Sequence, residues 1–112
     1  MIRIENKKDY RGSGEYIGRP SVLGNPYKIG LDGNREQVIE KYRSWLRSQY
    51  RKGREHKQAG MIDSRPALIY DELLRLVELS KQGDLVLICW CHPQRCHGDV
   101  IRDAIIGIAK MS

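Results

Sequence analysis

Hydrophobic residues along the chain follow three patterns, two of which are typical of strands. IRIEN, residues 2–6, alternates apolar and polar side chains as a half-buried strand does, and EYIGR, residues 15–19, is a second short candidate. DLVLICWC, residues 84–91, is continuously apolar, which is typical of a strand buried on both faces of an α/β sheet. We therefore predict three strands, with Pro93 ending the third.

The third pattern is helical, with apolar residues recurring on one face every three or four positions. It covers three segments: residues 35–51, residues 66–81, and residues 97 or 98 to 110. Asn34 and Gln37 have the spacing of a capping pair for the first helix, and Ser64 can cap the second. Gly83 ends the second helix. We predict three helices in these segments.

The order of these elements predicts an α/β fold of one domain, residues 1–112, with a Rossmann-like layered arrangement. A small sheet with a buried carboxyl-terminal strand would be flanked by about three helices. Residues 52–64 are basic and contain glycine, so we expect a mobile loop between the first two helices. Because ligands of α/β sheets bind beyond the carboxyl ends of the strands, we expect a site between the loops that follow Arg19 and Cys91.

The composition is that of a globular protein with excess positive charge. Of 112 residues, 40% are hydrophobic and 30% charged, and the formal net charge is +6. That charge favours anionic partners such as nucleotides or nucleic acid, although a basic surface also serves solubility alone. The amino end lacks the apolar core of a secretory signal, and no run approaches the roughly 18 apolar residues of a membrane span. Three cysteines cannot all pair within the chain, so reduced thiols in a reducing compartment fit better. We therefore expect a cytoplasmic protein without membrane contact.

All three cysteines and two of the three histidines lie within nine consecutive residues, 89–97. If the last helix begins there, Cys96 lies at its amino end, where backbone amides and the helix dipole lower the pKa of a thiol. This position predicts Cys96 as a reactive thiolate and Cys91 as its resolving partner. His97 would act as a base or proton donor, and Asp99 would orient it.

Two other interpretations of this segment stay open. Cys89, Cys91 and Cys96 together with a histidine would supply four soft metal ligands. Structural zinc draws on two separated pairs, however, and no second cluster exists, so no metal is favoured. Alternatively the cysteines are small buried residues, as Cys89 would be in a buried strand. His92 and Arg95 would add positive charge near the thiols.

The loop after the second strand, YIGRPSVLGNPYKIG, holds the candidate ligand-binding residues. Gly18 and Gly24 let a ligand approach the backbone, and Arg19 can bind a phosphate or carboxylate through two N–H groups. Asn25 would orient the ligand, and Arg35 in the next helix would hold the same anion. The loop lacks the spacing of the known phosphate-binding motifs, and it equally fits a structural turn in which Asn25 bonds its own backbone.

A stripe of arginines follows one face of the first helix: Arg43, Arg47 and Arg51. Such a stripe can track the phosphates of nucleic acid. Because Glu36 and Glu40 stand near the start of the helix, these charges also complement the helix dipole, which is the simpler explanation. We expect His56, further along, to be a solvated side chain.

The stretches YIGRPSVLGNPY, REQVIEKYRSWL and LVLICWCHPQRCHGDVI occur in an order and spacing that resemble the uncharacterised family called domain of unknown function 4326. That family is similar in its G-R…G-N-P loop and its C-W-C-x-P…C-H-G-D-V ending, and the resemblance covers about residues 15–108. It implies a small protein of phages or bacteria and supports one site made from the two loops. The segment RKGREHKQAGMIDSR departs from the family as an insertion, and the resemblance implies no activity.

These observations lead to three hypotheses about function. The first is a small cytoplasmic protein that binds a nucleotide-like or other phosphorylated ligand and acts as a transferase or hydrolase dependent on cysteine and histidine. The second is a non-enzymatic binder of nucleic acid or of a host protein through the arginine stripe. The third is a metal-stabilised module built on cysteines and histidines. The sequence identifies no cofactor.

Overall fold

Within residues 1–91 and 94–111, which the computed structural model of the protein describes, the chain forms six elements. In chain order they are β1 (Ile2–Asn6), β2 (Glu15–Tyr16), α1 (Arg35–Gln58), α2 (Arg65–Gln82), β3 (Leu85–Cys89) and α3 (His97–Met111). Three helices and a small sheet make the fold α/β, as predicted. His92, Pro93 and Ser112 lie outside the described residues, and with them the predicted end of the third strand.

The strands form one parallel sheet in the order β1-β3-β2, so β3 is the central strand. Leu87 of β3 pairs with Ile4 of β1 on one side and with Glu15 of β2 on the other. This central position accounts for the continuous apolar sequence of β3, because four of its five residues are buried. Since the three strands run in the same direction, their carboxyl ends lie at one edge of the sheet.

The hydrophobic core joins one face of this sheet to the three helices. Leu85, Leu87 and Cys89, alternate residues of β3, belong to it together with Ile4 of β1. The helices contribute large buried side chains to the same cluster: Ile39, Tyr42, Leu73, Leu76, Ile101 and Ile105. The described residues include no helix that is both long enough and apolar enough to cross a bilayer.

Both predicted helix caps are confirmed. The side chain of Asn34 accepts from the amide of Gln37, and the side chain of Gln37 accepts from the amide of Asn34, at 2.9 Å each. Ser64 Oγ accepts from the amide of Ala67 at 3.2 Å. These reciprocal bonds satisfy amides that a helix start otherwise leaves without partners, and they fix where α1 and α2 begin.

The predicted mobile loop over residues 52–64 is wrong in its first half, because α1 continues as a helix to Gln58. The connection between α1 and α2 is therefore only residues 59–64. Gly53 does not end the helix; a Cβ atom at this position would lie 2.2 Å from the carbonyl oxygen of Pro66. The glycine is required because α1 and α2 cross closely at this point.

His56 is not the solvated side chain that the sequence predicts. Its Nδ1 lies 2.7 Å from Ser64 Oγ, and the pair is partly buried. Lys57 forms an ion pair with Asp71 at 3.2 Å, which adds a second link between the end of α1 and the start of α2. The basic segment is thus part of the helix pair.

The second strand is shorter than predicted and ends at Tyr16. Ile17 still donates its amide to the carbonyl oxygen of Ile88 at 2.9 Å, but the chain then turns, with the amide of Ser21 donating to the carbonyl oxygen of Gly18. This turn begins the loop that crosses the carboxyl edge of the sheet.

Replacing Gly53 with alanine is expected to destabilise the protein by about 1–3 kcal/mol, because the new methyl group would overlap the Pro66 carbonyl group. Gly107 in α3 is the matched control, since no atom lies within 4 Å of the position of its Cβ. Gly107→Ala should instead stabilise the protein by about 0.5–1 kcal/mol. Urea unfolding measures both changes, and a Gly53→Ala variant as stable as the parent would contradict the close helix crossing.

Candidate functional site

A cleft of about 470 Å³ opens at the carboxyl edge of the sheet. The loop after β2, the start of α1 and the loop between β3 and α3 form its walls. Seven of the nine predicted site residues line it: Gly18, Arg19, Asn25, Arg35, Cys91, Cys96 and His97. The two loops that the sequence predicts to share a site therefore meet in one cavity.

The loop after β2 is held in shape by Arg19. Its Nε donates to the carbonyl oxygen of Asn25 at 2.7 Å, and one Nη donates to the carbonyl oxygen of Tyr27 at 3.1 Å. The side chain of Asn25 accepts from the amide of Tyr27, so it bonds its own backbone, which is the structural alternative for this residue. Gly24 does not line the cleft; a Cβ atom there would lie 3.1 Å from Arg19 Cα, so this glycine serves the turn.

Arg35 joins α1 to the loop between β3 and α3. Its two Nη atoms donate to the carbonyl oxygen of Arg95 at 2.9 Å and to the side chain of Gln94 at 2.7 Å. Arg95 in turn forms an ion pair with Glu36 on the first turn of α1. These contacts hold the guanidinium groups of Arg35 and Arg95 at the cleft without any ligand.

Four cations line the cleft, Arg19, Lys28, Arg35 and Arg95, and no aspartate or glutamate among the described residues does. Such a lining favours an anion through direct ion pairs and through the local potential. Sequence analysis proposed only Arg19 and Arg35 as anion ligands and missed Lys28. Lys28 follows the G-N-P turn by two residues, so proximity to that turn was the available signal.

Cys91 is the thiol that the cleft favours as an anion. The pKa of Cys91 is lowered to about 6, first by a hydrogen bond from the Cys96 thiol and then by a hydrogen bond and the charge of Arg35. Its side chain is partly buried, which opposes the shift but leaves it open to the cleft. Near neutral pH Cys91 is therefore mainly a thiolate.

Cys96 is not the reactive thiolate that its helix-end position predicts. Its residue is 4% exposed and belongs to the core, and its Sγ lies 3.4 Å from that of Cys89. Hydrogen bonds with Cys89 and Cys91, together with burial, raise the pKa of Cys96. Of these two thiols, Cys91 is therefore the one that is favoured as an anion, and Cys96 is its neutral hydrogen-bond donor.

Asp99 does not orient His97, contrary to prediction, because it caps α3. Its Oδ2 accepts from the amide of Cys96 at 3.0 Å, while the Cys96 sulfur accepts from the amide of Gly98 at 3.3 Å. This is the reciprocal arrangement of a capping box, with a thiol in the place of a hydroxyl group. Its other carboxylate oxygen pairs with Arg102 at 3.2 Å, and Asp99 does not line the cleft.

His97 is instead oriented by the backbone. Its Nε2 lies 2.7 Å from the carbonyl oxygen of Ile17, and since that oxygen can only accept, Nε2 carries the proton. Its ring meets the edge of the Tyr42 ring at a centroid distance of 5.2 Å. Burial is the main cause that lowers the pKa of His97, so the ring is neutral near neutral pH.

The sequence profile of the family described as Domain of unknown function (DUF4326) matches residues 2–107. The chain belongs to this family. The DUF4326 match begins earlier than the predicted resemblance and includes β1, so it covers every wall of the cleft. No curated protein and no solved structure gives a significant match to the chain.

The third hypothesis was a metal-stabilised module built on the cysteines and histidines of this chain. Across residues 1–91 and 94–111, no group of three or more histidine, cysteine or acidic side chains has a geometry suited to a metal ion. His92, a potential histidine ligand, lies outside the described residues. The Cys89 and Cys96 sulfur atoms contact each other.

The arginine stripe of the DUF4326 chain lies apart from the cleft. Arg43 forms ion pairs with Glu40 at 3.6 Å and with Asp103 of α3 at 3.5 Å. Arg47 lines a different groove, between α1 and α3, and Arg51 is exposed. Nucleic-acid binding through this stripe stays a prediction, and the contacts of Arg43 favour the explanation within the fold.

Iodoacetamide is expected to alkylate Cys91 at neutral pH faster than it alkylates the thiol of glutathione. The rate of Cys91 alkylation should have its midpoint near pH 6. Cys89 and Cys96 should react far more slowly, because both are buried. Peptide mass spectrometry after timed labelling measures each site, and Cys91→Ser is the control that should lose the fast phase. A midpoint near the ordinary thiol pKa of about 8.5, or first labelling of Cys96, would contradict this assignment.

The free energy of unfolding of this protein is expected to fall as the pH drops below about 6.5, because the unfolded chain then protonates His97 while the buried ring of the folded state stays neutral. The stability that the neutral His97 ring contributes is complete above the pKa of histidine in the unfolded chain. It is lost as the pH falls towards the lowered pKa of His97 in the folded state. His97→Gln keeps a donor for the Ile17 carbonyl oxygen but cannot titrate. Urea unfolding measures the free energy of unfolding at about pH 7.5 and about pH 5.5, and the difference between the two values should be smaller for this variant than for the parent protein. The same difference in both proteins would refute the effect of His97.

Proposed function

We propose that this DUF4326 protein binds a phosphorylated ligand, nucleotide-like or other, in the cleft and acts on it as a cysteine-dependent transferase or hydrolase. One observation carries the proposal: four cations and no described carboxylate line the cleft, together with a thiol whose pKa is lowered to about 6. A cavity of about 470 Å³ is also in the usual size range of small-molecule sites.

Anion binding is the first step of the proposed activity. Arg19 and Arg35 are fixed by backbone carbonyl oxygens, so little side-chain entropy is lost when a phosphate group arrives. Arg95 is about half exposed and paired with Glu36, and a phosphate group would compete with that carboxylate. Guanidinium groups suit this role because they bind phosphate oxygens through two parallel N–H groups.

Nucleophilic attack by Cys91 is the proposed second step. Its sulfur would form a bond to the phosphorus atom as the bond from phosphorus to the leaving oxygen breaks, and that oxygen leaves with the electron pair and takes up a proton. Water or an acceptor hydroxyl group would then displace the cysteine sulfur, giving hydrolysis or transfer. His97 would accept the proton of the attacking water or hydroxyl group, since its neutral ring lines the cleft and its Nδ1 is the nitrogen able to accept a proton.

The cytoplasm, of a host cell where the gene is carried by a phage, is the compartment that we propose for this activity. The sulfur atoms of Cys89 and Cys96 lie 3.4 Å apart and form no disulfide bond. A nucleophilic thiol also needs a reducing environment to stay available. The phage setting is supported only by the resemblance of the sequence motifs.

Arg35→Gln is expected to weaken binding of ribose 5-phosphate by about tenfold or more, because it removes a charged donor from the cleft. Arg47→Gln is the matched control, since it makes the same change of charge on the same helix but outside the cleft. Isothermal titration calorimetry measures both dissociation constants, with ribose as the uncharged comparison. Equal losses in the two variants, or ribose binding as tightly as its phosphate, would refute the proposal.

A further inference from the structure

Trp90 is a large aromatic side chain that the fold leaves uncovered beside the cleft. It directly follows β3, lines the same cavity as the four cations, and is 56% exposed. Its neighbour in the next strand, Tyr16, is in register with Ile88 and so lies on the face of the sheet that the core does not use. The two rings therefore form an aromatic rim at the carboxyl edge of the sheet.

Hydrogen bonds hold this rim in place. Trp90 Nε1 donates to the Tyr16 hydroxyl group at 3.1 Å, and that hydroxyl group donates to the carbonyl oxygen of Arg19 at 2.7 Å. The side-chain amide of Asn6 donates to the carbonyl oxygen of Trp90 at 3.1 Å. The indole ring is thus both exposed and fixed, and it is tied to the loop that carries an arginine of the cleft.

The rim also carries positive charge. Lys7 Nζ lies 4.5 Å from the centroid of the Tyr16 ring and 5.9 Å from that of the Trp90 ring. A flat π surface beside several cations has the composition of sites that bind single nucleotides or single-stranded nucleic acid, where bases stack and phosphates pair with arginine and lysine.

We propose that the ligand of the cleft is a nucleoside phosphate whose base stacks on Trp90 while its phosphate group meets Arg35 and Arg95. This inference rests on the proposed function and narrows it from phosphorylated compounds in general to nucleotides. Tyr16 is a positioning residue in this arrangement, because it fixes the indole ring without being required to touch the base. Charge complementarity supports a nucleotide over an apolar protein segment, since four cations and no carboxylate of the described residues line the cavity.

The test compares two nucleotides with a sugar phosphate that lacks the base. Adenosine monophosphate and uridine monophosphate carry a base on the ribose 5-phosphate group, and ribose 5-phosphate lacks it. The parent protein is expected to bind the nucleotides about tenfold more tightly than ribose 5-phosphate, because stacking adds to the phosphate contacts. Trp90→Ala should abolish this preference, so that the nucleotides bind no more tightly than ribose 5-phosphate to the same variant, whereas Trp90→Phe should keep most of it.

Fluorescence gives an independent measurement of contact with the indole ring. The chain contains two tryptophans, and Trp45 packs against the core. In a Trp45→Phe background the tryptophan emission comes from Trp90 alone, so adenosine monophosphate should quench it and ribose 5-phosphate should not. Circular dichroism of each variant checks that it is folded.

The results separate this inference from the function on which it rests. If ribose 5-phosphate binds as tightly as the nucleotides and Trp90→Ala changes nothing, the stacking is wrong while phosphate binding stands. If neither ribose 5-phosphate nor a nucleotide binds, the proposed function is wrong and the inference with it. Dinucleotides identify the source: tighter binding than the monophosphates would indicate single-stranded nucleic acid, and equal or weaker binding would indicate free nucleotides, each through the same stacked base.

Discussion

The parallel direction of the strands is the constraint on which the candidate site depends. Because β1 and β2 both pair in parallel with β3, the loops that follow the strands leave from the same edge of the sheet. Those loops carry Arg19 and Cys91, which are far apart in the sequence. An antiparallel β2 would release its loop at the opposite edge and separate the cations from the thiol. Arg35 completes the arrangement by tying α1 to the second loop.

Three identical thiols acquire different properties from their positions alone. Cys89 points into the core from the central strand, and Cys96 uses its sulfur to cap α3. Hydrogen bonds with Cys89 and Cys91, followed by burial, raise the pKa of Cys96 and keep that thiol neutral. Cys91, one turn of chain beyond the strand, reaches the cations and receives a hydrogen bond from Cys96. An ionised thiol needs water or positive charge around it, and Cys91 has both.

Local rules were enough to predict the elements and most of the cleft, whereas long-range packing decided what they missed. The caps at Asn34 and Ser64 depend on residues within three positions, so sequence analysis found them. Gly53 was included in the predicted loop over residues 52–64, because its contact with Pro66 of another helix is a long-range one. The prediction that Cys96 is a reactive thiolate was wrong for the same reason. The rule that a helix end lowers the pKa of a thiol assumes an exposed sulfur. The capping role of Asp99 could have been predicted, because Asp99 lies three residues after Cys96, which is the spacing of the capping pair of α1.

Rigidity divides the cations of the cleft into two kinds, and that division bears on how a ligand would enter. Arg19 and Arg35 donate to backbone carbonyl oxygens and to Gln94, all of which are neutral, so an anion can approach without displacing a charged partner. Arg95 is paired with a carboxylate, Glu36, and must exchange that partner before it can bind a phosphate group fully. Because exposed ion pairs contribute little to stability, this exchange costs little, and Arg95 is suited to follow a ligand that the fixed arginines have already positioned.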